Sequence, residues 1–313
     1  MSQLISIAVP VYNEEKNIPV FWHKLNEIIL SKITAYQWEV IFINDGSRDK
    51  TIEELEKLSK IDARIRIIDF SRNFGKEVAL TAGLNHCRGD ACLMVDADLQ
   101  HPLEKIPEFL EKWEAGFEVI VGVREKNKGE GLVKRIGSYF FYKIINSIAE
   151  TKITSKATDF RLLDRIVIDE FNKLPEKNRM TRALIDWLGF RRAYVHFNAN
   201  PRLHGKASYS LWKLFRLAFN SFISFSLFPL RLAGYLGIII TLLSGALGLF
   251  ILITKYILGT MSFSGSVILA VIILFLIGIV LICLGLIALY IANIHTEVTN
   301  RPLYIIRKSK VRI

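Results

Sequence analysis

Short apolar, β-branched runs alternate with stretches of helical period through the first 125 residues. Ile5–Val11, Val40–Asn44, Ile65–Phe70, Ala91–Val95 and Val119–Val123 read as strands, each bounded by turn residues. Between them, Ile18–Leu30, Thr51–Ser59, Lys76–Asn85 and Leu103–Trp113 repeat apolar residues at helical spacing. This alternation predicts an α/β fold, a mostly parallel, Rossmann-like sheet with helices on both faces. Ligands of such sheets lie beyond the carboxyl ends of the strands. The polar residues gather at those ends: Asn13-Glu14-Glu15, Asp45-Gly46-Ser47, Asp96-Ala97-Asp98 and Arg124.

After Arg124 the pattern changes. Glu125–Gly131 is charged, contains glycine and has no apolar period, which predicts a mobile loop. Val133–Ile148 reads as an amphipathic helix, and Phe160–Leu163 and Tyr194–Phe197 as short strands. Ser210–Leu227 sets Leu211, Leu214, Phe215, Ala218, Phe219 and Phe222 on one helical face and Lys213 and Arg216 on the other. Such a helix suits a membrane interface; packing on the preceding domain is the alternative. No internal repeat is evident.

The end of the chain is different again. Leu232–Thr254 carries no charge, nor does Tyr256–Ile294. A membrane span needs about 20 apolar residues to cross about 30 Å of hydrocarbon. Leu232–Thr254 and Ser264–Ala292 therefore read as a transmembrane hairpin; a soluble pair of buried helices is the weaker alternative. The expected organisation is a catalytic domain over 1–209, an interfacial helix over 210–229, the hairpin over 230–294 and a basic tail over 295–313. Arg216 and Arg231 precede the hairpin, and Arg301, Arg307, Lys308, Lys310 and Arg312 follow it. Only Lys255 lies between its spans. The basic flanks predict a cytoplasmic catalytic domain and both termini inside.

These stretches account for a hydrophobic share of 51%. The net charge of +11 suits attraction to anionic headgroups. Nucleic-acid binding is not expected, because no basic stripe interleaved with aromatics is present. The N-terminus lacks the basic and apolar regions of a signal peptide. Cys87, Cys92 and Cys283 form no metal-ligand spacing and read as reduced structural thiols.

Asp96-Ala97-Asp98 leaves an almost wholly apolar strand. Two carboxylates so close can face a hard cation, Mg²⁺ or Mn²⁺, with Gln100 adding a carbonyl oxygen; Mg²⁺ commonly takes one or two carboxylates plus substrate phosphates. A solvated turn is the plain alternative. Asn44-Asp45-Gly46-Ser47 is either an ordinary turn or a place where Asp45 accepts from a base or ribose. Arg72-Asn73-Phe74-Gly75-Lys76 opens a helix, where Lys76 and the first amides can hold a phosphate.

Together these runs resemble the family 2 glycosyltransferases of GT-A fold. Val9-Pro10-Val11-Tyr12-Asn13-Glu14 is similar to their opening strand and loop, Asn44-Asp45-Gly46-Ser47 to their base-binding turn, and Asp96-Ala97-Asp98 to their metal motif. Within the family, the chain resembles the polyprenyl-phosphate glycosyltransferase branch, which includes bactoprenol glucosyltransferases and dolichyl-phosphate mannose synthases. That similarity rests on Ser71–Glu77, Asp96–Pro102, Asp159–Arg165, the two apolar spans and Asn300–Tyr304.

The resemblance implies inverting hexosyl transfer, best glucose, from a UDP-sugar to undecaprenyl or another polyprenyl phosphate. It implies Pro10, Tyr12, Glu14, Asp45, Lys76 and Asp96 at the nucleotide-sugar, and Asp96, Asp98 and Gln100 at Mg²⁺ or Mn²⁺. Arg124, Arg135, Ser138 and Arg202 would hold the lipid phosphate, and Asp98, Asp159 and Arg124 would act at the reacting centre. In the 202–209 loop, Lys206 stands two positions earlier than the lysine of many members, so Arg202 is the expected ligand. GDP-mannose, UDP-N-acetylglucosamine and aminoarabinose donors fit related chains.

A processive polysaccharide synthase is the second reading, but the Gln-x-x-Arg-Trp motif and extra spans are absent. A nucleotide-sugar-binding scaffold is the third, and Asp45, Asp96 and Asp98 argue against it. Implied partners are the membrane, a flippase and a downstream glycosyltransferase. Ser244 and Gly248, at small-xxx-small spacing, make a homo-oligomer an expectation.

Overall fold

The computed structural model describes residues 2–125, 157–177, 179–198 and 265–307. Contacts divide the chain into two compact units. One comprises Met1–Ser147, Thr151–Ser208 and Arg301–Ile313, the other Ile148–Glu150 and Tyr209–Asn300.

The first unit is built on a seven-stranded sheet. Its strands are β1 (Leu4–Val11), β2 (Gln37–Asn44), β3 (Ile65–Asp69), β4 (Ala91–Met94), β5 (Val119–Arg124), β6 (Ala157–Asp164) and β7 (Arg192–Phe197). They lie in the order β3-β2-β1-β4-β6-β5-β7. Pairing is parallel except for β6, which runs antiparallel to both β4 and β5. The mostly parallel α/β sheet expected from the sequence is thus present, with one reversed strand inserted between β4 and β5.

The helices are α1 (Asn17–Leu25), extended by a π turn over Asn26–Leu30, then α2 (Thr51–Ile61), α3 (Lys76–His86) and α4 (Ile106–Glu114). The expected Leu103–Trp113 helix opens as a 3₁₀ turn over Leu103–Lys105. Pro107 falls in the first turn of α4, where a missing N–H costs nothing because those amides have no intrahelical partner. Two further helices, α5 (Arg165–Lys173) and α6 (Thr181–Trp187), were not expected. The Asp164 side chain caps α5 by accepting from the Ile166 N–H.

Alternation along β1 explains how the layers assemble. Ile5, Ile7, Val9 and Val11 share one core with Phe21 and Leu25 of α1, Leu55 of α2 and Phe109 of α4. The opposite face meets α3 closely: a Cβ on Gly83 would come within 2.8 Å of the Ala8 Cβ. Helices therefore cover both faces, and the strand ends are left for polar residues. Cys87 and Cys92 are buried free thiols.

In the second unit, α7 (Gly265–Val298) runs for 34 residues and meets no Asp, Glu, Lys or Arg before Glu297. It coincides with the second expected span. Its backbone is described throughout, its side chains only in part; among the residues described in full, no helix is long and apolar enough to cross a membrane. After α7, Asn300 takes a left-handed φ of 47°, a common way to end a helix. The expected loop beyond Glu125, the helix over 133–148, the interfacial helix and the first span lie outside the described residues. So do Arg135, Ser138 and Arg202.

Candidate active site

Two turns and one loop meet at the carboxyl ends of β1, β2 and β4. The first turn follows β2. Asp45 is buried, and its carboxylate is taken up by backbone: the Phe74 N–H donates to Oδ1 at 2.7 Å and the Gly75 N–H to Oδ2 at 3.0 Å. Burial pushes the Asp45 pKa up, and these two amides only partly offset it. Gly46 has φ +65°, and a Cβ there would sit 2.3 Å from the Arg72 carbonyl carbon. Glycine is therefore required both for conformation and for room. Asn44 completes the turn, donating from Nδ2 to Asp69 at 2.7 Å and accepting from the Ser47 hydroxyl.

The β1 exit is laced to the same turn. The Asn13 N–H donates to Ser47 Oγ at 2.9 Å, and Asn13 Oδ1 accepts from the Arg48 N–H at 2.9 Å. Asn13 holds a left-handed φ of 56°, tolerated best by Asn among residues with a Cβ. The Glu14 N–H donates to Thr51 Oγ1 at 2.8 Å, and the Glu14 carboxylate accepts from Asn17 Nδ2. Pro10 sits opposite Ile43 in the β1–β2 ladder, and Tyr12 is 42% exposed.

The acidic turn follows β4. Continuing the antiparallel register Leu93↔Leu162 and Met94↔Arg161 sets Asp159 opposite Asp96. The reversed strand β6 is thus what delivers Asp159 to the site. Lys76, the first residue of α3, reaches both acids: Nζ lies 2.7 Å from Asp96 Oδ1 and 2.9 Å from Asp159 Oδ2. On its other side Asp159 receives Arg182 Nε at 2.9 Å. Burial opposes the charge on all three of Lys76, Asp96 and Asp159. Their mutual attraction, with Arg182, outweighs it, so both carboxyls titrate below the usual range and the lysine above its own.

Below the turn, His101 is 4% exposed and stacks on Phe160 at 5.0 Å. Its Nδ1 accepts from the Asp96 N–H at 3.2 Å, so a neutral ring carries its proton on Nε2. Burial lowers its pKa and favours that neutral form. The Gln100 N–H donates to Asp98 Oδ1 at 3.1 Å, and Arg124 Nη2 donates to Gln100 Oε1 at 3.3 Å. Between these, Leu99 is buried at φ +58°. A bulky residue in that region stores strain, which concentrates at functional sites.

The structure therefore joins Lys76, Asp96 and Asp159 directly, and links Asp98, Gln100 and Arg124 around the same turn. Asp45 connects to them through the 72–76 loop. Arg182 was not singled out from the sequence, because the helix that carries it was not expected. Among the described residues no group of three or more His, Cys, Asp or Glu side chains is arranged to hold a metal ion. Asp96, Asp98 and Gln100 supply hard oxygen donors only. Such a set fits a hard divalent cation that completes its shell on phosphates.

Residues 6–171 match the family described as glycosyl transferase family 2. The chain is 41% identical to a glycosyltransferase of Synechocystis sp., over 96% of this chain and 94% of that protein. It is 40% identical to the prophage-derived bactoprenol glucosyl transferase of Shigella flexneri, over 97% of this chain and 98% of that protein. Among solved structures, glucosyl-3-phosphoglycerate synthase of Mycobacterium tuberculosis aligns over 69% of this chain and 76% of its own, at 19% identity and a TM-score of 0.47.

Proposed function

The chain belongs to glycosyl transferase family 2, and from that premise we propose that it transfers glucose from UDP-glucose to undecaprenyl phosphate at the cytoplasmic leaflet. Full-length similarity to bactoprenol glucosyl transferases supports the acceptor class and the sugar. The observation that carries the reaction is the double ion pair of Lys76 with Asp96 and Asp159. It sets an exchangeable cation, two carboxylates and a helix N-terminus at one point beyond the sheet, where a sugar diphosphate can be received.

The second pKa of a phosphate monoester is near 6, so the acceptor is mostly a dianion at neutral pH and needs no general base. The residues' work is positioning and charge management. The Asp45 turn and the 72–76 loop form the bed for the uridine. Asp96, Asp98 and Gln100 would hold Mg²⁺ or Mn²⁺, which when bound neutralises the leaving diphosphate. Asp159, held by Arg182, aims Lys76 at the same charge. Arg124, with Arg135, Ser138 and Arg202, takes the acceptor phosphate, and guanidinium groups suit bidentate contact. Direct attack at the anomeric carbon inverts it, giving a β-linked lipid phosphosugar from an α-linked donor.

The two apolar stretches anchor the enzyme, with both flanks inside and Lys255 outside. A separate flippase and a downstream transferase would handle the product, and the spans would associate as a homo-oligomer through Ser244 and Gly248. The test is direct. Whole protein is incubated with labelled UDP-glucose, undecaprenyl phosphate and Mg²⁺, and an organic-extractable, β-linked product is expected by NMR. An α-linked product would overturn single displacement. Transfer only from GDP-mannose or UDP-N-acetylglucosamine would overturn the donor.

A further inference from the structure

The last described segment of the chain, Arg301–Arg307, returns to the first unit and pairs with Asp69–Ser71, at the end of the edge strand β3. Ile306 bridges Phe70 in antiparallel fashion. The Ser71 N–H donates to the Ile305 carbonyl at 2.9 Å, and the Arg307 N–H donates to the Asp69 carbonyl at 2.9 Å. The Arg307 guanidinium donates to the Ser71 carbonyl at 3.0 Å. A strand added to a sheet edge satisfies its orphaned backbone groups, and capping alone would explain these bonds.

The side chains do more than cap. Tyr304 stacks on Phe70 with ring centroids 5.0 Å apart, and Phe70 in turn meets the Phe74 ring edge-on at 5.6 Å. Phe74 is the residue whose N–H holds Asp45. The Tyr304 hydroxyl also reaches the far end of α3, 3.1 Å from His86 Nε2 and 3.3 Å from Asn85 Nδ2. Lys76 opens that same helix. One short segment is thus braced on Asp69–Ser71, on the ring behind Phe74 and on the end of α3. Those are the supports of the loop that joins Asp45 to Asp96.

We propose that Arg301–Arg307 is a positioning strap for the 72–76 loop, holding the Phe74 and Gly75 amides on Asp45 and so setting affinity for the nucleotide-sugar. Tyr304 and Arg307 act through the loop and touch no substrate. The effect on the donor rests on the reading that this loop receives it; the effect on the loop does not.

The test uses the whole chain and two independent readouts. Hydrogen exchange at the Phe74 and Gly75 amides is measured without substrate, and donor KM, acceptor KM and kcat are measured with UDP-glucose and undecaprenyl phosphate. Tyr304→Ala removes the stacked ring, and Arg307→Pro removes the N–H given to Asp69. An aromatic pair contributes about 0.5–1.5 kcal/mol, so Tyr304→Ala should speed exchange at both amides, and raise donor KM, by about two- to twelvefold. Acceptor KM and kcat should stay within about twofold on the same argument. Tyr304→Phe keeps the ring and should restore most of the donor affinity. Unchanged exchange in both Tyr304→Ala and Arg307→Pro overturns the strap, as does a parallel rise in donor and acceptor KM. If the wild-type protein gives no transfer from UDP-glucose, the donor reading fails, and amide exchange alone still decides the strap.

Discussion

Asp45 and Asp96 end the two strands that flank β1, and the structure treats them in opposite ways. Both oxygens of Asp45 accept from backbone amides, those of Phe74 and Gly75. Asp96 is met by the Lys76 ammonium at the end of a flexible stem. A backbone amide cannot leave without unfolding its loop, but a lysine side chain can turn away at the cost of its two ion pairs, to Asp96 and Asp159. Asp45 is therefore architecture, and Asp96 belongs to a charge balance that side-chain motion can rearrange. Two acids that look alike as strand-end residues are separated by what satisfies them.

The widest gap between the two should appear on removing a carboxylate from the acidic turn. Asp98→Ala is expected to lower transfer by about 10³-fold or more, since it takes away electrostatic stabilisation at the leaving group. Asp98 is no part of the core, so the thermal melt should stay close to that of the wild type. Near-normal turnover would break the comparison at its acidic side. Chelation of divalent cations should abolish wild-type transfer and be reversed by Mg²⁺ or Mn²⁺; activity indifferent to chelator would remove the cation from the scheme.

Next in size is Lys76→Met, expected to cost about 10²-fold in transfer. It also carries a pH signature. Asp96 and Asp159 titrate below the usual carboxylate value in the folded protein. A depressed folded pKa contributes stability that is present above the unfolded value, about 3.9, and is lost as pH falls through the folded one. Lys76→Met removes the attraction that depresses both. The acid-side loss of stability should therefore become shallower, measured as the slope of melting temperature against pH below about 4. An identical acid slope in the variant would mean that Lys76 does not balance these acids.

The same contrast explains what could be read in advance. The strands and the residues at their ends were legible, because Ile5–Val11 or Ala91–Val95 carry their own apolar signal and Asp45 and Asp96 follow directly. The pairing of Asp159 with Asp96 was not, because it depends on β6 entering between β4 and β5 in reverse. Nothing local in Ala157–Asp164 states its direction or its neighbours. Arg182 was hidden for a related reason: α6 is only seven residues long, too short for helical period to show. The helix α5 could have been found, since Val167, Ile168 and Phe171 are spaced for one face and Asp164 is a good cap. The tail at Arg301–Tyr304 was visible as a family resemblance, but its partner Phe70 lies more than two hundred positions away.

The finest test separates two glycines on the architectural side. Gly46 and Gly75 both hold positive φ, +65° and +103°. They differ in their surroundings. A Cβ on Gly46 would collide with the Arg72–Asn73 backbone, whereas one on Gly75 would meet nothing within 4 Å. Gly46→Ala must therefore displace the loop as well as strain its own backbone, at about 2–5 kcal/mol in all. Gly75, at φ 103° and ψ 154°, lies in a region open almost only to glycine, so Gly75→Ala should carry that strain alone, about 1–3 kcal/mol. If Asp45 is a clamp, Gly46→Ala should loosen the Phe74 and Gly75 amides and raise donor KM well above the effect of Gly75→Ala. Both should leave acceptor KM unchanged. Equal losses in the two variants would mean that backbone conformation alone matters here, and that the close packing of the Asp45 turn against the 72–76 loop adds nothing to donor binding.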